Sequence, residues 1–327
     1  GSTIGAASLL KTKGETDLLK FILKRLGYML ITIFCIATVT FFLMRSIPGD
    51  PLASIAQTLP EQTRENYYAK YGLDQPLFVQ YLNYMKNLVR LDFGDSIVHP
   101  GRSVSAVIAE TSPVSGIVGL PALAIGLVLG VLFGIIAALF KNKWPDYVVM
   151  VIAILGITIP VFVLAALLQY FFAVKLHWLP TSGWGQVRHT IIPIIVLSFG
   201  TIATYARYIK SSMLDTLGQD YILTARVKGL SEAAIIRRHV LRNSILPAVT
   251  LLSARIVGIF TGSFVIERMF AIPGIGFYYI DSINNYDYSM TMGLTIFYGA
   301  LFVISQIVVD IVYVLIDPRI RLGGGSR

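Results

Sequence analysis

An all-α integral membrane protein with six transmembrane helices is the fold class this sequence predicts, and three observations carry the prediction. Apolar residues make up 55% of the 327 positions and charged residues only 14%, and the mean hydropathy of +0.70 exceeds what a water-soluble domain tolerates. Apolar stretches of about 20 residues or more, the length that crosses a ~30 Å hydrocarbon core, occupy 27–46, 115–140, 148–174, 191–213, 246–266 and 291–316. Lysine and arginine collect in every second connection, which marks one face as cytoplasmic.

That alternation also explains the net charge of +9. Lys20, Lys24 and Arg25 precede the first span, Lys141 and Lys143 follow the second, and Arg319 and Arg321 follow the sixth. The connection after the fourth span holds Arg207, Lys210, Arg226, Lys228, Arg237, Arg238 and Arg242. Both termini are therefore expected in the cytoplasm, and the basicity is a topology signal with headgroup contact, not a nucleic-acid footprint. Residues 1–18 lack a secretion signal's apolar core and cleavage site. They are expected to be an added or disordered leader, and 323–327 a linker remnant. Cys35 is the only cysteine, so neither a disulfide nor a cysteine metal cluster can form within the chain.

After the first span, residues 48–112 form an external segment rich in Pro, Gly, Tyr and Asn, and they are expected to make a small subdomain. LFVQYLNYMKNLVRL (Leu77 to Leu91) has the periodicity of an amphipathic helix lying on the outer surface or at the membrane interface. Asp92-Phe93-Gly94 copies a kinase triplet without its accompanying motifs. No G-x-x-x-x-G-K-[ST] loop occurs, so the chain itself is not expected to hydrolyse ATP.

In the second span Gly126, Gly130 and Gly134 share one face and favour a close helix neighbour. Pro160 should kink or break the third. Arg255 and Asp310 are ionisable groups inside spans five and six, each costly in hydrocarbon unless paired or wet. At about 12 and 10 Å from the cytoplasmic face by helical rise, their similar depth makes an ion pair between them an expectation, beside separate positions on a cavity wall. His99, His177, His189 and His239 form no ligand-spaced cluster, and no metal site is expected.

The loop 214–244 carries the functional signal. Tyr221 to Lys228 reads as a two-turn helix stopped by Gly229, and Leu230 to Asn243 as a second helix capped by Ser231. A short helix held out of the membrane suits the groove of a soluble partner.

Here the sequence resembles the membrane subunits of binding-protein-dependent ABC importers, in particular the oligopeptide and dipeptide permeases. The resemblance rests on DYILTARVKGL (Asp220 to Leu230) with RHVLRNSILP (Arg238 to Pro247), strengthened by TGSFVIERMFAIPGIG (Thr261 to Gly276), IPGDPL (Ile47 to Leu52), YGLDQP (Tyr71 to Pro76) and DPRIRL (Asp317 to Leu322). It covers 19–322. Glu232-Ala233-Ala234 spells the generic importer motif yet follows Gly229. The family pattern places its three residues ahead of the glycine, at Leu223-Thr224-Ala225.

The resemblance implies a type I ABC importer permease fold. It implies that Tyr221, Thr224, Ala225, Arg226, Lys228 and Gly229, with Leu246 and Pro247, form the part pressed against a nucleotide-binding subunit, Arg226 and Lys228 reaching acids on that partner. Gly262, Pro273, Gly274 and Gly276 would lie at the outer end of the pathway, in backbone that need not be helical. It further implies a homologous second permease subunit, two ATPase subunits that hold ATP and Mg, and a peptide-binding protein outside a bacterial cytoplasmic membrane. No cofactor is expected in this chain. A nickel or metal-chelate cargo, an ion-gradient carrier and a sensory anchor are the other readings.

Overall fold

The structure, a computed structural model, describes residues 25–47, 52 and 60–316, and within these the backbone alone at 253, 257, 259–263, 311 and 313–316. The terminal segments 1–18 and 323–327, the cations Lys20, Lys24, Arg319 and Arg321, and most of IPGDPL and all of DPRIRL lie outside the described residues. Among the described residues regular structure is helical, apart from one isolated bridge between Asp95 and Ser103.

Helix α1, Arg25–Ser46, is the first span. Two helices outside the apolar spans follow, α2 (Glu61–Lys70) and α3 (Leu77–Val89). They pack on the outer end of α1 through an aromatic cluster in which Phe41 is buried and Tyr67, Tyr68, Tyr71, Tyr81 and Tyr84 surround it. Helix α3 is amphipathic as expected. Tyr84 stacks on Phe41 at 5.5 Å, whereas Phe78, Leu82 and Val89 are exposed.

Helix α4 runs from Val104 to Leu139, starting well before the expected 115. Ser103 caps it, its hydroxyl accepting from the Ala106 N–H at 3.2 Å, and the 36 residues of the helix exceed the ~20 that a bilayer core requires. The third span is broken as Pro160 requires. Helix α5 (Trp144–Thr158) and helix α6 (Val161–Leu168, continued by a wider π turn over Gln169–Lys175) meet at 109°. Ile159 is extended, as residues before proline tend to be.

Helix α7 (Val187–Leu217) lies along α4. Cβ atoms added at Gly126, Gly130 and Gly134 would stand 2.6, 2.7 and 2.7 Å from Cβ of Thr201, Tyr205 and Ile209 respectively. Both rows advance by four residues, so the i±4 ridges interlock and the backbones touch. Gly130→Leu is expected to cost about 1–3 kcal/mol by overpacking, read as a lower midpoint of thermal unfolding in detergent; an unchanged midpoint would show that the helices can part without loss.

Helix α8 (Asp220–Val227) and α9 (Glu232–Ile235, then a π turn over Ile236–Val240) lead into α10, Leu241–Met269. Helix α11 (Ile275–Asn284) is external, and α12, Tyr288–Ile316, completes the bundle. Helices α1, α4, α7 and α12 and the bent pair α5–α6 are long and apolar enough to span; the remaining expected span, 246–266, falls inside α10.

Candidate functional site

The hairpin over 220–240 is built from local rules and anchored by packing. Gly229 has φ +79°, the left-handed conformation that ends α8 at little cost only for glycine. The Leu230 N–H returns to the Ala225 carbonyl at 3.2 Å. Ser231 then caps α9, accepting from the Ala234 N–H at 3.4 Å. The expected separate helix over Leu230–Asn243 is different in kind: it continues through a π turn into α10, because no glycine or proline interrupts it before Pro247. Pro247 lies inside α10 and is exposed, and Leu246 is half-buried.

Ile222 and Ala225 face inward, packed with Met213, Ile235 and Val240. Ala225, expected in the helix that meets the partner, has its side chain buried in the chain's own core. Arg226 is likewise engaged at home. Its Nε and Nη2 donate to the two Glu232 carboxylate oxygens at 2.8 and 3.3 Å, and that hydrogen bond and charge raise its pKa further. What faces outward is Tyr221, Leu223, Thr224, Val227, Lys228, Gly229 and Leu230. Leu223 is 61% and Val227 81% exposed, four residues apart on one helix face. Sequence reading places Leu223 in the motif that precedes Gly229 but assigns it no contact, and it does not single out Val227, although the i, i+4 spacing of two apolar residues in a polar loop is visible in the sequence. The Tyr221 hydroxyl accepts from Asn243 Nδ2 at 2.9 Å, tying the hairpin to the foot of α10.

The expected Arg255–Asp310 pair does not form. Asp310 pairs with Arg25, because the start of α1 lies beside α12 at that depth. Arg255 instead donates to the Thr204 hydroxyl, across from α10 to α7. Both residues line a cavity of about 370 Å³ beside the break at Ile159.

At the outer end, Glu267 is 1% exposed. Its Oε1 accepts from the Ser115 hydroxyl at 2.7 Å, and Oε2 from the N–H groups of Gly276 and Phe277 at 2.9 and 3.3 Å. The Ser115 hydroxyl itself accepts from the Ile275 N–H at 2.9 Å. A buried carboxylate thus holds the N-terminus of α11, where donors are unsatisfied and the helix dipole favours negative charge.

Gly274 and Gly276 follow from this. A Cβ at Gly274 would strike the Glu267 carboxylate and Ser115, and one at Gly276 would strike Phe264. Gly276 is helical, so the expected non-helical backbone is confined to the turn through exposed Pro273 and extended Gly274. Gly262 lies within α10, its surroundings outside the described residues.

A second buried acid, Asp287, starts α12 and accepts from the Met290 and Ile97 N–H groups at 3.1 Å each and from the Ser96 hydroxyl. It fastens the external loop to the bundle. Glu267 is the only acid between Leu246 and Ile272, a signal missed because the span was ended one residue before it.

Comparison with known proteins gives the following. A family model described as binding-protein-dependent transport system inner membrane component matches residues 130–322, and the corresponding N-terminal model matches 18–104. The chain is 44% identical to the dipeptide transport system permease protein DppB of Bacillus subtilis, over 93% of this chain and 98% of that protein. It is 43% identical to the oligopeptide transport system permease proteins OppB of Haemophilus influenzae and of Escherichia coli, over 93% of this chain and all of each relative. In three dimensions it is similar to a chain of the methionine ABC transporter MetNI in an inward-facing conformation, with a TM-score of 0.52 at 15% identity, covering 64% of this chain and 96% of that one.

Proposed function

The chain belongs to the family of binding-protein-dependent transport system inner membrane components, and from that premise we propose that it is the permease subunit of an ATP-driven importer of dipeptides or oligopeptides. Identity of 41–44% to dipeptide and oligopeptide permeases over nearly the whole chain supports peptide cargo over a metal chelate. The observation that carries the coupling role is the hairpin: a helix held rigid by Ile222 and Ala225, presenting Leu223 and Val227 to the cytoplasm.

In this reading the outward face of α8, with Tyr221, Thr224, Lys228 and Gly229, sits in a groove of an ATPase subunit that binds ATP and Mg. Two such subunits closing on ATP push the hairpins. Because Ile222 and Ala225 pack with Tyr205, Ile209 and Met213 of α7 and Ala248 of α10, the push reaches the spans as a rigid-body movement. A homologous permease supplies the other half of the path, and a peptide-binding protein docks on the external helices and the loop held by Asp287. Both termini face the cytoplasm, and the complex sits in the bacterial cytoplasmic membrane. The ends of the path are then α8 inside and the Glu267–Gly276 turn outside.

The test is reconstitution of the purified complex in liposomes with loaded binding protein. Expected is uptake of a tripeptide that needs ATP inside and persists with proton and sodium ionophores. Uptake abolished by ionophores and indifferent to ATP would replace this reading with a gradient-driven carrier.

A further inference from the structure

Arg255 is the central residue of α10, at a depth where an unpaired charge is costly. Among the described residues its one hydrogen-bond partner is the Thr204 hydroxyl, and the cavity of about 370 Å³ that it lines has no acidic residue on its wall. One of five guanidinium N–H donors is thereby engaged, and the cavity opens beside the others. The volume falls in the roughly 300–1,000 Å³ range of small-ligand pockets.

The walls fit one kind of guest. The Thr204 hydroxyl stands against Arg255, while Val161, Leu164 and Leu251 make much of the remaining wall apolar. Three glycines also line it: a Cβ at Gly156 would stand 2.6 Å from that of Ala203, whereas one at Gly200 or Gly258 would meet nothing within 4 Å. The latter two differ from Gly126, Gly130 and Gly134, where a neighbouring helix forbids a side chain. A helix-interior glycine costs about 1 kcal/mol against alanine, and among the described residues packing gives no reason for it at Gly200 and Gly258. Their effect is to leave the space beside Arg255 empty.

We propose that this cavity is a carboxylate subsite on the translocation path, in which Arg255 receives a carboxylate of the passing peptide. The inference rests on the peptide-import reading and adds to it a specific contact. The planar fork of arginine matches a carboxylate in two parallel hydrogen bonds, and Thr204, whose hydroxyl donates to the Gly200 carbonyl at 2.9 Å while accepting from Arg255, holds the guanidinium in place. The apolar wall accepts varied aliphatic side chains without selecting among them. Between guests water solvates the guanidinium, so the contact offsets desolvation without becoming a trap.

The test uses the complete complex in liposomes, with tri-alanine and tri-alanine C-terminal amide each supplied at binding-protein saturation, measured separately by binding-protein fluorescence. In the wild type tri-alanine is expected to be taken up faster. In Arg255→Gln its rate should fall about tenfold or more relative to the amide, the factor that goes with losing one charge-assisted pair, and Arg255→Lys should keep the preference for the free carboxylate. Equal loss for both peptides in Arg255→Gln would make Arg255 structural, and no change in their ratio would overturn the subsite. A wild-type complex that moves neither peptide while hydrolysing ATP would instead overturn the peptide-import reading.

Discussion

Replacing Leu223 and Val227 together by glutamate is expected to strip the ATPase from the complex. The two side chains are the exposed apolar pair of α8, and nothing in the chain's own core depends on them. Burying a leucine or valine against a partner is worth about 1.5–3 kcal/mol each. Loss of both, with two charges forced into an apolar groove, should weaken the contact more than about a hundredfold. Affinity purification in mild detergent reads this directly: the second permease subunit co-purifies with the double variant and the ATPase does not. The thermal unfolding of the isolated chain should not change, since both positions are open to solvent. Stoichiometric ATPase on the double-glutamate chain would show that the hairpin docks by another face. Ile222→Asp is the informative contrast, because it should unfold the hairpin by placing a charge among Met213, Ile235 and Val240.

The second large effect lies at the opposite end. Glu267→Ala removes the acceptor of Ser115, Gly276 and Phe277 at once, in a site with almost no solvent. Buried donors left without partners cost about 1–3 kcal/mol each, so a total of about 3–5 kcal/mol is expected. Two readouts follow: a lower thermal midpoint in detergent and faster hydrogen exchange at the Gly276 and Phe277 amides. Glu267→Gln should fall between the two, as its carbonyl still accepts from the amides while the favourable charge at the start of α11 is lost. Wild-type exchange at both amides in Glu267→Ala would mean that the carboxylate does not hold that helix.

The two predictions differ in how much of them could be read from the chain alone. Gly229 as the stop of α8, Ser231 as the cap of α9 and Pro160 as the break in the third span were legible, because each acts through its own backbone and its nearest neighbours. The glycine row in α4 was legible as a close-packing face, and only its partner row on α7 was not. Arg255 was recognised as costly, but pairing it with Asp310 from depth alone ignored rotation about the helix axes. Arg25 and Thr204 are the groups those rotations bring near.

The sequence by itself determined that the chain is built of long apolar helices, which connections carry the positive charge, and where the hairpin turns at Gly229. Transfer of about 20 apolar residues and the φ preferences of glycine and proline are properties of short segments. The tertiary structure alone decided which face of α8 is exposed, that Ala225 is buried, and that Glu267 grips α11 through Ser115, a residue 152 positions away. Such choices depend on how helices distant in sequence are rotated against each other. That rotation is set by the summed packing of whole faces, which no single stretch of the chain encodes.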